Sequence, residues 1–446
     1  MLGQQSTHPA MMTGKPTTAA SRFYPWLVFA LSFGLLLSDY MSRQVLNAVF
    51  PLLKAEWALS DTELGALGGV VALMVGLLTF PLSILADRWG RVRSLTLMAA
   101  LWSVATLGCA LANSFGEMFI ARLCVGIGEA AYGSVGIAVV LSVFPRHLRA
   151  SLSSAFIAGG ARFGAGHGRR RHLSAHFGWR WAFAGMALFG LVLVVIYRAV
   201  ITEPRLLNER RKLGEDLATD ARRESLAMRP LLSALFSAPS ILCAYVGSAL
   251  QLLVMGALLA WMPSFLSRYY GMATDRAGMT AAAFVLAAGA GMVICGALTD
   301  WVARKAPSRK WLMAMAYSLT CCALLTVAFR LPAGGAQLAL IGLGMLLVGG
   351  TAGPASAVVA NLTRPAIHAT AFATLTLANN LLGLAPGPFL TGVIADRVGL
   401  LGALQVVPLT GLLAAACFVA GRRYYAADLQ RLEHQRALRD AQQANA

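Results

Sequence analysis

Between Arg122 and Arg146 the chain carries one charged side chain, Glu129. It lies in the stretch Arg122-Leu-Cys-Val-Gly126-Ile-Gly128-Glu129-Ala-Ala-Tyr132-Gly, whose other members are apolar or small. The spacing is about two helical turns, so Arg122 and Glu129 fall on one face. In a membrane span an ionisable group costs roughly 2.5–3.5 kcal/mol on insertion scales. It is kept where it faces a watered cavity or finds a partner. The arrangement therefore reads as a carboxylate that takes up and releases a proton, or as an ion pair that only locks helices. Gly126 and Gly128 let another helix approach. Tyr132 sits near one turn further on, within reach of Glu129.

A second group, Asp39-Tyr-Met-Ser42-Arg43, lies in the first apolar segment. Asp39 and Ser42 share a face by their spacing. Farther along are Gln251, in the middle of an apolar run, then Trp261 and Pro263, then Arg268, Tyr269 and Tyr270. Gln251 fits a cavity or a bond to a neighbouring helix. The three aromatics fit an interfacial belt. Asn379-Asn380 offers two adjacent amides that cannot both face one neighbour, which favours a cavity. There is no phosphate loop, no His/Cys cluster and no nucleophile elbow with partners. The sequence thus points away from an enzyme and implies no cofactor and no metal. No motif within this chain would draw energy from ATP, which leaves an ion gradient as the source for any energised step.

The elements that must position these residues follow from composition. The 446 residues are 58% hydrophobic and 13% charged, with mean hydropathy +0.66. A soluble chain would carry about twice that charged fraction. The apolar runs are too long for barrel strands, so the fold class is an all-α membrane protein. Segments recur at about 23–48, 64–86, 94–116, 118–145, 150–176, 181–197, 232–266, 277–299, 311–329, 334–363, 366–395 and 401–421. These make twelve spans if the defective fifth is included. The seven cysteines lie in apolar stretches without metal-ligand spacing.

The formal charge of +18 sits mostly in loops beside spans, which suits an anionic cytoplasmic leaflet rather than nucleic acid. Arg88, Arg91, Arg93, the 198–229 loop, Arg304, Lys310, Arg422 and Arg423 fall on one side. Both termini are therefore expected in the cytoplasm, in a multi-pass protein of a cell membrane, a bacterial inner membrane by expectation. Residues 1–21 have no apolar core before a cleavage site, so no signal peptide is expected. The expected division is a tail at 1–22, a six-helix bundle at 23–202, a loop at 203–229, a second bundle at 230–421 and a polar tail at 422–446. The halves repeat: Ser83-Ile-Leu-Ala-Asp87 recurs as Gly296-Ala-Leu-Thr-Asp300, and Ala138-Val-Val140 as Ala357-Val-Val359. Parallel six-helix repeats with a site between them are one design of secondary transporters.

Ser83-Ile-Leu-Ala-Asp87-Arg88-Trp-Gly90-Arg91-Val-Arg93 resembles the loop 2–3 signature of the major facilitator superfamily, G-x-L-a-D-R-x-G-R-[KR], with Ser83 for the first glycine. The resemblance implies a latch between the halves at Asp87, Arg88, Gly90 and Arg91, echoed at Asp300. Gly392-Val-Ile-Ala-Asp396-Arg-Val-Gly399 has a similar look on the opposite side. Arg122…Gly126-Ile-Gly-Glu129-Ala-Ala-Tyr132 and Asp39-Tyr-Met-Ser-Arg43 are similar to the Spinster-like group, which shows N-Y-x-D-R in span 1. That likeness implies a proton-coupled carrier with Glu129, Arg122 and Arg43 at its cavity. Ser42 stands where the group has Asp, and Asp39 where it has Asn, so Asp39 is the candidate to supply the carboxylate. The Gly-Glu-Ala pattern also occurs in organic-anion symporters of the superfamily.

The fifth segment departs from all this. It reads Ala161-Arg162-Phe-Gly-Ala-Gly-His-Gly-Arg169-Arg-Arg171-His172, unfavourable by several kcal/mol in lipid. Three readings stand: a local shift of reading frame, a shortened helix whose Arg169–Arg171 emerge at the interface, and an anion-binding Arg162. The whole is expected to be a monomeric carrier of a small organic solute, leaning to an organic anion or acidic amphiphile, coupled to protons. The expected proton-coupling residues are Glu129, Arg122, Arg43 and Asp39. The expected cavity residues are Ser42, Tyr132, Gln251, Trp261, Asn379 and Asn380. A membrane sensor, a decayed carrier or a multidrug efflux pump are the alternatives.

Overall fold

The computed structural model describes residues 20–144, 178–212, 236, 238–304, 306, 308–363 and 368–444. The fifth segment with its arginines lies outside these residues, as does the side chain of Asp87. Among the described residues all regular structure is helical. In chain order the elements are α1 (Ala20–Trp57), α2 (Asp61–Trp89), α3 (Arg91–Leu111), α4 (Phe115–Glu129), α5 (Tyr132–Ser142), α6 (Trp179–Val200), α7 (Glu203–Lys212), α8 (Pro239–Tyr270) and α9 (Thr274–Ala303). They continue as α10 (Arg309–Ala328), α11 (Gly335–Val348), α12 (Ala352–Leu362), α13 (His368–Asn379), a π turn (Asn380–Leu384), α14 (Pro386–Val406), a 3-10 turn (Val407–Leu409) and α15 (Thr410–Ala444).

Nine described helical stretches are long and apolar enough to cross a bilayer. The last of these runs spans 11 and 12 together, from Thr370 to Leu432. Span 4 falls short of that length because a break at Ala130–Ala131 leaves helices of 15 and 11 residues. Span 10 breaks at the corresponding place of the repeat, Gly349–Thr351, between α11 and α12. Pro354 lies in the first turn of α12, and Pro386 opens α14, where a missing N–H is harmless.

Local signals explain the chain reversals. Ser60 and Glu63 form a capping box at the start of α2. Gly90 (φ 99°) turns α2 into α3, and Gly399 (φ 78°) separates span 11 from span 12 within α14. In both cases the glycine stands three residues after an aspartate, in Asp87-Arg-Trp-Gly90 and Asp396-Arg-Val-Gly399.

In the N-terminal half α3 packs on α4 and α6, α2 on α4, and α1 on α6. In the C-terminal half α8 packs on α15, α10 on α11 and α15, and α9 on α11. Helix α14 contacts both α2 and α8, so it joins the halves. The polar tail continues α15 as far as Ala444. Asp428 accepts from the Ser240 amide (3.0 Å) and hydroxyl (2.5 Å) at the start of α8. The start of span 7 and the C-terminal tail therefore share one side of the molecule.

Candidate functional site

Glu129 is the last residue of α4, and its carboxylate is buried. The Arg43 guanidinium of α1 donates Nη2–H to Glu129 Oε2. Arg43 Nε also lies 3.6 Å from Asp39 Oδ1, one turn back on α1. Arg122 is only 1% exposed. Its Nε and Nη1 have no hydrogen-bond partner, and no described carboxylate forms an ion pair with it. It still lies within electrostatic range of Glu129, Arg43 and Asp39. The four charges expected from the sequence are thus gathered, but the pairing differs. Glu129 ends its helix at the Ala130–Ala131 break and meets α1, leaving Arg122 with free donors.

The break holds its shape because small residues allow contact on both sides. A Cβ on Gly126 would stand 2.7 Å from Met74 Cβ on α2, and one on Gly128 would stand 2.7 Å from the Trp102 amide nitrogen on α3. The Thr79 hydroxyl donates to the carbonyl of Ala130 (2.6 Å), inside the break.

The other expected cavity residues divide. Ser42 Oγ lies 3.3 Å from Thr106 Oγ1 on α3, so it points into the N-terminal half. Tyr132 does not bond Glu129: its hydroxyl donates to the Ser32 carbonyl (2.5 Å), and its ring packs edge-on against Trp102. Gln251 is wholly buried on α8, with its amide oxygen beside Gly411 of α15. Trp261 is no interfacial residue. It is fully buried, donates Nε1–H to the Pro388 carbonyl (2.9 Å) and packs on Phe50 of α1. Tyr270 is likewise tied inward, to Gln337 Oε1 (2.5 Å) and the Gly334 carbonyl (3.2 Å). Asn380 begins the π turn and donates to the Thr376 carbonyl (2.9 Å), while Asn379 Oδ1 has no partner.

At loop 2–3, Arg88 is exposed and Asp300 is exposed at the end of α9. The partner that sequence reasoning missed is Glu203 at the start of α7. Its Oε1 accepts from the Val92 amide (2.9 Å), in the space a Gly90 side chain would fill.

A second charged cluster joins the halves on the opposite side. Asp61, at the start of α2, receives Lys54 Nζ (2.6 Å) and two Arg268 donors (2.8 and 2.9 Å) from α8. Asp396 of α14 accepts from the Asp61 and Thr62 amides (2.8 Å each) and the Thr62 hydroxyl (2.6 Å). Asn47 of α1 donates to the Leu259 carbonyl on α8 (3.2 Å). In the sequence, Arg268 at the end of its apolar run and the Asp396 echo marked this region, and the Ser60-x-x-Glu63 pattern is the further signal that could have found it.

The charged quartet is carried by α1 and α4 of the N-terminal half, and a helical membrane protein of two repeated halves has the design of a secondary transporter. The chain belongs to the Major Facilitator Superfamily, which it matches over residues 32–388. It is similar to the gallate transporter of Pseudomonas putida, 27% identical over 322 residues, covering 66% of this chain and 69% of the relative. It is similar to Protein spinster homolog 1 of Xenopus tropicalis, 24% identical over 437 residues, covering 91% and 82%. It also resembles the probable L-galactonate transporter of Escherichia coli K12, 26% identical, over 60% of this chain and 59% of that protein. Its fold matches a bacterial homolog of the human lysosomal transporter Spinster, solved inward-facing and unoccupied. That match has TM-score 0.76 and 19% identity, covering 91% of this chain and 98% of the other.

Proposed function

We propose that this protein carries a small organic anion, or an amphiphile with an acidic head, by proton-coupled alternating access. The observation that carries the reading is the quartet Asp39, Arg43, Arg122 and Glu129, of which Asp39, Arg122 and Glu129 are buried and Arg43 is half-buried, and in which Arg122 keeps two unpartnered donors. Two acids and two arginines sum to zero when all are ionised. A proton on Glu129 releases Arg43 and leaves one net positive charge. That charge suits one carboxylate, and a buried guanidinium fork is the group that binds carboxylates in pairs of hydrogen bonds. Proton and anion would then move together, and the loaded quartet would again be neutral. The named substrates of the gallate and L-galactonate relatives are organic acids, which supports the same class.

In this reading the halves 23–202 and 230–421 rock about the quartet. The termini and loop 2–3 face the cytoplasm of a bacterial inner membrane, and the Asp61 cluster closes the outer side. Loop 2–3, with Asp87, Arg88, Gly90, Arg91 and Asp300, serves as the inner latch. Asn379 and Asn380 line the path, and the carrier works as a monomer. The test is uptake of a panel of organic acids and acidic lysolipids into proteoliposomes under an imposed pH gradient. Gradient-driven uptake of anionic members is expected. Uptake confined to cationic or neutral drugs would support an efflux pump, and no flux with any compound would support a sensor or a decayed carrier.

A further inference from the structure

The two D-R-x-G segments lie at opposite ends of the molecule, and the second sits in the Asp61 cluster. In both, a glycine with positive φ ends the helix, which presents the aspartate one turn earlier at the helix end. For Asp396 the structure shows the target. Its carboxylate takes three hydrogen bonds from the first turn of α2. The helix N-terminus offers unpaired N–H groups and a partial positive charge, so a carboxylate is the group it favours. Asp396 belongs to the C-terminal half and α2 to the N-terminal half, so a carboxylate that commonly serves its own helix here spans the transporter's two moving parts.

The contact is built from two residues on one face of α14. Gly392 lies one turn before Asp396, and a Cβ on it would stand 2.7 Å from the Asp61 carbonyl carbon and 3.1 Å from Thr62 Cα. The glycine brings the backbones together, and the aspartate fastens them. The neighbouring Asp61 side chain faces away, to Lys54 and Arg268, so the carboxylates do not compete for donors.

We infer that Gly392 and Asp396 form a latch that holds the side opposite the termini closed, working independently of the Asp61–Arg268 ion pair. The inference rests on the alternating-access reading only in that the halves must be able to separate. Its test therefore needs no substrate and no pH gradient.

The experiment is a distance measurement between spin labels at Asn113→Cys and Ala333→Cys, in the full chain with its seven native cysteines replaced. Asp396→Ala is expected to raise the longer-distance population about 2- to 30-fold, the range spanned by losing a helix cap. Asp396→Asn, which keeps one acceptor oxygen, should fall between the two. Gly392→Ala should produce the same longer population by a different route, which keeps the test intact if Asp396→Ala fails to fold. Distance distributions that superimpose on the parent for both Asp396→Ala and Gly392→Ala would overturn the inference, whatever the transport assays show.

Discussion

Glu129 receives its hydrogen bond from Arg43, 86 residues earlier in the chain, and not from Arg122 two turns before it on its own helix. The consequence is a division of labour between the two arginines. Arg43 is tied to both acids, while Arg122 is buried with Nε and Nη1 unpartnered. A buried cation without a partner is costly by several kcal/mol, and a protein keeps one where function requires it.

Replacing Arg122 by methionine should separate stability from activity. The apolar chain fills similar volume without the desolvation cost, so the melting temperature in detergent should stay level or rise by several degrees. Anion uptake should fall by at least tenfold. Arg122→Lys should keep the charge but lose the paired geometry, and should raise KM more than it lowers the maximal rate.

The helix break before Tyr132 depends on glycine. Gly128→Ala would force a methyl against the Trp102 amide and the Met98 carbonyl, at 2.7 and 2.9 Å, both backbone atoms that cannot rotate away. A loss of about 1–3 kcal/mol is expected. Gly133→Ala, with nothing within 4 Å of the new methyl, is the control. Thermal unfolding of the two variants should differ in that direction.

Arg268 and Asp61 should be energetically coupled. The Asp61 side chain is 5% exposed and receives both Arg268 donors, so screening by solvent is limited. A double-mutant cycle with Arg268→Gln and Asp61→Asn, read by thermal unfolding, should give a coupling of about 0.5–3 kcal/mol. Lys54 retains its own contact with Asp61, so Arg268→Gln alone should cost less than Asp61→Asn.

Glu203 should matter to loop 2–3 although it lies over a hundred residues away. Glu203→Ala removes the acceptor of the Val92 amide. A faster amide exchange at the start of α3 is the expected result, with the Asp61 side unchanged.

The spans, the repeat and the D-R-x-G loop were legible because lipid demands long apolar helices and because tight reversals demand glycine. The residue types of the quartet were legible for the same reason, since few charges survive at depth. The pairing was not. Helical spacing places Arg122 and Glu129 on one face, but the break at Ala130–Ala131 and the approach of α1 decide which guanidinium arrives. Trp261 and Tyr270 read as interfacial from their position at the end of a span, yet both donate to neighbouring elements inside the protein. The π turn at Asn380–Leu384 left no sequence signal beyond adjacent amides. Asp61 was hidden inside a capping box, where its neighbours Ser60 and Glu63 carry the local pattern.

The measurement that bears most directly on the central claim compares net uptake with substrate exchange in proteoliposomes, parent chain beside Glu129→Gln. The glutamine mimics a permanently protonated carboxyl. The account predicts that the variant exchanges labelled anion across the membrane but loses net uptake driven by a pH gradient. A Glu129→Gln protein that concentrates substrate at the parent rate with the same pH dependence would contradict it, and would reduce the Arg43–Glu129 pair to a fastening between α1 and α4.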